Sequence, residues 1–355
     1  MRIIAYYLPQ FHSIPENDRW WGKDFTEWTS VRNGKPLFEG HYQPVVPGEL
    51  GYYNLLDPKV RERQAALARE AGIEGFCYWH YWFAGKQLLE QPLQQVLQSG
   101  QPDYPFCIGW ANESWKAKTW LDQQTAPDKM LIEQTYPEGD DEAHFEAILP
   151  ILRDKRYIQV DGKPLLMVYR PLQLDAKAWV TKWQKMAKNA GFNGLFLLGH
   201  ALYQKEIPSI LSMGFDAVNL VPIGDVKRNP GLILRHLPIV LRYMRGKAPL
   251  VYDYNQAIRL FASKVMKQEN VVPTILPNWD HSPRSRMRAF VMHHSTPEYF
   301  GEHVKAIQQM VDKKHNQLVM LKSWNEWGEG NYMEPDARWD RQYLDVLKAV
   351  TSRCK

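Results

Sequence analysis

The sequence predicts a single α/β domain, residues 1–355, folded as a (β/α)8 TIM barrel with long loops after strands 1 and 6. Three observations predict it. Eight short apolar runs alternate with amphipathic stretches along the chain. Each run is continuous, as a parallel strand buried on both faces requires. No glycine-rich dinucleotide or phosphate fingerprint follows the first run, which argues for the closed barrel over an open nucleotide-binding sheet.

The first strand is residues 3–8. An insertion, 9–56, follows it, rich in Trp, Pro, Gly and His. A loop of that length is functional or disordered, and its aromatic content argues against disorder. Residues 58–71 have helical periodicity, with Asp57 as the cap and Gly72 as the stop. Strand 2 (75–81) is followed by a helix over 87–98, and strand 3 (105–110) by a helix over 141–152. Strand 4 (165–169) precedes a helix at 176–189 that ends before Gly191. Strand 5 (195–199) leads to a short helix at 207–213, and strand 6 (217–221) to the second insertion, 224–254. A helix over 256–267, strand 7 (272–276), a helix over 297–313, strand 8 (318–322) and a last helix over 341–350 complete the pattern.

Hydrophobic residues make up 45% and charged residues 23%, so a packed core is expected. A net charge of +5 over this length does not point to nucleic acid, and no nucleic-acid motif is present. Cys77 and Cys107 lie inside apolar runs and read as buried thiols, and Cys354 has no partner in a disulfide framework. The opening MRIIAYYLPQF reads as a strand rather than a secretion signal, and no run approaches the roughly 18 apolar residues of a membrane span. A cytoplasmic protein is expected, with no cofactor. No HExxH, CxxC or clustered Asp/His motif occurs, so no metal is expected either. Within 231–247, LILRHLPIVLRYMRGK is apolar and basic together. It reads either as a surface helix with a solvated basic face or as a contact with an anionic glycan, a lipid-linked substrate or, peripherally, a membrane surface.

In a barrel the site forms where the strands end. Tyr7, Gln10 and His12 close strand 1; Trp79, His80 and Tyr81 close strand 2; Trp110, Asn112 and Glu113 follow strand 3. Tyr169 ends strand 4 and His200 strand 5; Trp279 and Asp280 follow strand 7; Trp324, Asn325, Glu326 and Glu329 follow strand 8. The opposite strand ends carry mostly Gly, Pro, Lys and Asp. Aromatic planes stack on the C–H faces of sugars, and amides and carboxylates bind their hydroxyls, so these residues are substrate-binding candidates for a glycan. For any one Trp, a place in the core is the competing reading. The segment SWNEWGEGNYMEP (323–335) holds Glu326, Glu329 and Glu334. Two carboxyls among tryptophans suit acid/base work, because burial raises one pKa while a hydrogen-bonded neighbour stays ionised. Glu326 and Glu329 are the catalytic candidates and Glu113 the rival. Arg284, Arg286 and Arg288 read as an anion-binding group or as a solvated basic loop.

The segments YYLPQFH (6–12), WWGKDFTEW (20–28), GHYQPVVPG (40–48), GFCYWHYWF (75–83), WANESW (110–115) and SWNEWGEG (323–330) together resemble the WbsX-type proteins of bacterial surface-polysaccharide loci. These are similar to glycoside hydrolase family 99, the endo-α-mannosidases and endo-α-mannanases. The resemblance implies a barrel acting with retention on α-linked, manno-configured glycans, and the expected function is an endo-acting retaining glycoside hydrolase of α-manno- or α-rhamno-configured bacterial polysaccharide or oligosaccharide. It implies Glu326 as base, Glu329 as general acid and a 1,2-anhydro sugar intermediate. A glycosyltransferase or transglycosylase in O-antigen or capsule synthesis is the alternative. Against it, the chain has no DxD motif and no Rossmann-like pattern. A non-catalytic glycan-binding barrel is the third reading.

Overall fold

A computed structural model of the chain describes residues 1–116 and 129–352; Cys354 lies outside them. Among the described residues the expected eight parallel strands form one ring. They are β1 (Arg2–Tyr7), β2 (Gly75–Phe83), β3 (Phe106–Trp110), β4 (Lys163–Val168), β5 (Phe196–Ala201), β6 (Ala217–Leu220), β7 (Val271–Val272 and Thr274–Ile275) and β8 (Leu318–Leu321). Each pairs with its neighbour in sequence, and β8 returns to β1 with Arg2 beside Leu318 and Ala5 beside Leu321.

The ring closes through an interrupted β7. Pro273 has no N–H to give and splits the strand in two. Val271–Val272 pairs with β6 and Thr274–Ile275 with β8. Side chains replace the ladder bonds lost there. The Asn219 amide donates to the Val272 carbonyl (3.0 Å) and to Thr274 Oγ1 (2.9 Å), and the Thr274 hydroxyl donates to the Leu220 carbonyl (3.0 Å). Buried backbone polar groups are thereby satisfied across the break. The Tyr6 hydroxyl reaches across the interior to Asn219 Oδ1 (2.7 Å). The interior is filled: a Cβ on Gly109 would meet Cys77 Sγ, Met167 Sδ and Trp79 Cζ3 within 3.3 Å. Cys77 and Cys107 are buried free thiols, as expected.

The helices follow the expected order. The first insertion contributes α1 (Pro15–Trp21) and α2 (Glu27–Arg32); α3 (Pro58–Glu70) is capped by the Asp57 carboxylate on the Lys59 N–H (2.9 Å) and stops before Gly72 at φ 83°. Then come α4 (Gln91–Ser99), α5 (Asp140–Leu152), α6 (Ala176–Asn189), α7 (Ile207–Ser212), α8 (Ile223–Lys227), α9 (Leu237–Met244), α10 (Pro297–Val311) and α11 (Gln342–Thr351).

Two expected helices differ. The one placed at 87–98 begins at Gln91, because Lys86–Leu88 folds back antiparallel on the end of β2. The one placed at 256–267 is three short helical turns, Tyr254–Ala257, Ile258–Ala262 and Lys264–Lys267, with Ser263 extended between the last two.

Candidate active site

The loops at the C-terminal ends of the strands enclose a cavity of about 360 Å³. Its floor and walls include Trp79 and Tyr81 from β2, Tyr169 after β4, His200 on β5 and Trp279 after β7. The first insertion contributes Gln10, Asn17, Trp21, Phe25 and Glu27, and the segment after β3 contributes Glu113 and Trp115. Glu326 and Glu329 line it from the turn after β8.

That turn explains why the two glutamates face the same way. Asn325–Glu326 pairs antiparallel with Asn331–Tyr332, and the intervening Trp327–Glu329 is a single 3₁₀ turn. Side chains three residues apart eclipse on a 3₁₀ turn. The turn is pinned from behind. The Asn325 side chain copies a backbone pair, accepting from the Leu8 N–H (2.7 Å) and donating to the Leu8 carbonyl (3.0 Å). Trp327 is stacked on Tyr332 and donates to Glu334 Oε2 (2.6 Å), which also accepts from the Tyr53 hydroxyl (2.8 Å). Glu334 Oε1 accepts from the Gln64 amide (2.6 Å). Burial pushes the Glu334 pKa up to about 7, against the hydrogen bonds that lower it. Glu334 thus anchors the turn from behind.

One guanidinium organises the carboxylates. Arg284, in the short helical turn Ser282–Ser285, donates from Nε to Glu27 Oε1 (2.7 Å), from Nη1 to Glu329 Oε1 (2.7 Å) and from Nη2 to Glu326 Oε1 (3.0 Å). Such forked, charge-assisted bonds fix orientation as well as charge. Burial works against the Arg284 charge, but Glu27, Glu329 and Glu326 outweigh it and raise its pKa well above the usual value. The Glu326 pKa is raised, first by burial and then by the Glu329 charge, with Arg284 and Lys322 opposing. Lys322 Nζ and His281 Nε2 each lie 3.7 Å from Glu329. Gly328 is required by this packing, since a Cβ there would sit 1.7 Å from Glu27 Oε1.

Of the residues singled out from sequence, Gln10, Trp79, Tyr81, Glu113, Tyr169, His200, Trp279, Arg284, Glu326 and Glu329 meet in the cavity. Glu113 is held there by the Arg170 guanidinium (2.7 and 2.9 Å). The His200 pKa lies well below the usual value, first through burial and then through Lys322 and Arg170. The others lie outside the cavity wall. Tyr7 alternates away from Tyr6 and hydrogen-bonds Gln64 on α3 (2.6 Å). His80, between Trp79 and Tyr81, points outward to His144 on α5 (2.9 Å), and its burial drops its pKa to about 4. Trp110 packs outward against His144, Trp179 and Trp183.

His12 is buried on the Pro9 carbonyl (3.0 Å), and Trp324 is buried against Phe76. Asn112 accepts from the Arg170 N–H (2.7 Å) and donates to its carbonyl (3.1 Å), so it holds the loop that carries the Glu113 partner. Asn325 acts through Leu8, as above. The Asp280 side chain faces a second cavity, where it accepts from His41 Nε2 (2.8 Å) and Gln43 Nε2 (2.5 Å), while its N–H donates to the Glu329 carbonyl (2.7 Å).

Residues not singled out from sequence complete the site. Glu27 lies in the motif at 20–28, but nothing in sequence joins it to Arg284. Asn17 is 1% exposed and lines the cavity, with neither amide atom hydrogen-bonded among the described residues. Its only sequence signal was membership of the aromatic first insertion. Of the three arginines read together, Arg284 is buried and Arg286 and Arg288 are exposed.

A protein described as uncharacterized, WxcX of Xanthomonas campestris pv. campestris strain B100, is 34% identical over 357 residues, covering 99% of this chain. The chain spans about half the length of that relative (50%). Among solved structures, the GH99 endo-α-mannosidase of Bacteroides thetaiotaomicron superposes with a TM-score of 0.59 at 14% identity, covering 99% of this chain and 97% of that one. A structure described as a glycoside hydrolase-like protein gives 0.55 at 16% identity, covering 98% and 93%. At these identities the likeness is one of fold, and the barrel is common to the set. The family model described as Glycosyltransferase WbsX matches residues 3–347, and the chain belongs to that family.

Proposed function

We propose that the chain is a retaining glycoside hydrolase acting, within a bacterial polysaccharide or oligosaccharide, on an α-manno- or α-rhamno-configured residue. The observation that carries this reading is the pair Glu326 and Glu329, side by side on one aromatic-walled cavity and joined through Arg284. The fold shared with an endo-α-mannosidase supports it, as does the resemblance of SWNEWGEG to that family's catalytic segment.

On this reading Glu326 removes the proton of the sugar's 2-hydroxyl while that oxygen attacks the anomeric carbon. Glu329 gives its proton to the departing glycosidic oxygen, and a 1,2-anhydro sugar results. Water then opens the ring: Glu329 takes a proton from the water, whose oxygen bonds the anomeric carbon, and Glu326 returns its proton to the 2-oxygen. Two inversions give net retention. Internal attack carries a high effective molarity. A carboxylate whose pKa is raised is a stronger base when ionised, and burial raises that of Glu326. Trp79, Trp279 and Tyr169 supply planes for sugar faces.

The family name, Glycosyltransferase WbsX, favours a second reading, transfer of a sugar to an acceptor. One set of assays separates the two. The protein is incubated with α-manno- and α-rhamno-oligosaccharides without any nucleotide sugar. Cleavage supports hydrolysis, while products that form only with a nucleotide sugar overturn it. Glu329→Gln should lose about 10²–10⁴-fold on the glycan and recover on an aryl glycoside whose leaving group needs no acid. Glu326→Gln should lose as much on both substrates.

A further inference from the structure

Helix α9 turns its apolar stripe outward. A surface helix ordinarily buries that stripe. Here one residue does so: Ile239 packs with Phe38, Val251, Ala289 and Val291. At 100° per residue, Leu237, Leu241 and Met244 lie together on the opposite side. They are 67%, 39% and 75% exposed. Along this stretch of chain the charge has one sign. Residues 226–252 hold six lysines and arginines and no aspartate or glutamate, against a net charge of +5 for the whole chain. Arg235, Arg245 and Lys247 are exposed beside the stripe. A second tip of the same character lies alongside: Arg286, Met287 and Arg288 are exposed, and the next residue, Ala289, packs in the same cluster as Ile239.

We propose that this face docks the protein onto an anionic phospholipid bilayer. Leu237, Leu241, Met244 and Met287 enter the headgroup region, and the flanking arginines and lysines bind lipid phosphates. An interfacial helix with an apolar face and basic flanks binds in this way, with each basic side chain adding to its attraction for anionic lipid. Eight residues span only about 12 Å, so α9 docks on the surface and does not cross it. Self-pairing through this face would set two strongly basic patches against each other, whereas a bilayer offers negative charge above an apolar interior. The helix rests on Phe38, from the loop after β1, and on Val291, from the loop after β7. Ile223 and Lys227, on α8 just before α9 in the chain, line the cavity. The docked face therefore belongs to the loops at the C-terminal ends of the strands, the same set that encloses the cavity.

The test is vesicle flotation of the full chain at low and high salt. Vesicles of phosphatidylcholine with about 30% phosphatidylglycerol are compared with phosphatidylcholine alone. The wild type is expected to float with the anionic vesicles and to remain unbound with the neutral ones. Leu237→Ser/Leu241→Ser/Met244→Ser should lower binding at least about tenfold, and Arg235→Gln/Arg245→Gln/Lys247→Gln about a hundredfold. Both sets are exposed, so melting temperatures should match the wild type. The proposal is overturned if the wild type does not float with anionic vesicles, or if either triple variant binds as the wild type does. It is equally overturned if, without lipid, light scattering shows a dimer that the apolar triple variant dissociates, because the face then pairs with a second copy.

Discussion

Replacing Arg284 with Met removes the guanidinium that bridges Glu27, Glu326 and Glu329. Met keeps much of the side-chain volume, so the perturbation is mainly electrostatic. The Glu27, Glu326 and Glu329 side chains are 2%, 7% and 15% exposed, and Lys322 Nζ and His281 Nε2 each stay 3.7 Å from Glu329. Removing one partner of a buried ion pair costs about 3–5 kcal/mol, because the other is left uncompensated. With an unfolding entropy of about 2.1 cal/mol/K per residue, a chain of 355 residues melts about 4–7 °C lower for that loss.

The effect carries a pH signature. Without the guanidinium, Glu326, whose pKa burial and the Glu329 charge already raise against Arg284, holds its proton in the folded state to a still higher pH than in the unfolded chain. Groups whose pKa is raised on folding stabilise below their unfolded value and lose that contribution as pH rises through the folded one. The gap in melting temperature between wild type and Arg284→Met should therefore be smallest near pH 5 and widest near pH 8. Adding Glu27→Gln to Arg284→Met should recover part of the loss. Calorimetric scans at fixed rate across that range test this. A variant as stable as wild type at pH 8, or a gap that ignores pH, would refute the electrostatic clamp.

Three further outcomes are expected. Gly328→Ala places a Cβ against Glu27 Oε1 and, at 2.9 Å, against Arg284 Nε, so it should lower both the melting temperature and turnover, measured on the same preparation. Asn17→Leu removes a buried amide that has no hydrogen-bond partner among the described residues. It should melt at or above the wild-type temperature while KM for the glycan rises about 5–100-fold; lower stability with an unchanged KM would show that the amide serves the fold instead. Glu334, with its pKa raised to about 7 from 4.5, contributes stability that is full below about pH 4.5 and lost as pH rises through 7, by about 3 kcal/mol. Glu334→Gln should remove that part of the pH dependence in denaturant melts at pH 5 and pH 8.

The eight strands and the crowding of aromatic and acidic residues at their C-terminal ends were legible in the chain. Parallel strands buried on both faces are continuous apolar runs, and short runs such as LVMLK and LFLLG can be little else. For the same reason the sequence could not say which side chains face the interior. All nine residues of β2 are buried, and Trp79, His80, Tyr81 and Trp82 are all bulky. Alternation sends Trp79 and Tyr81 to the cavity, and His80 and Trp82 to α5, where Trp82 donates to Asp140 (2.9 Å). Tyr6 and Tyr7 divide in the same way.

Glu326 and Glu329 were visible from sequence because one short turn carries both, and a local turn needs no distant partner to aim them together. Their electrostatics were not visible. Arg284 lies 257 residues from Glu27 and 42 from Glu326, and only closure of the barrel brings the three onto one guanidinium. Spacing along a strand or turn is set by backbone geometry, which local sequence encodes. Which charges meet in a buried space is set by the packing of the whole ring, and that exists only once the chain has folded.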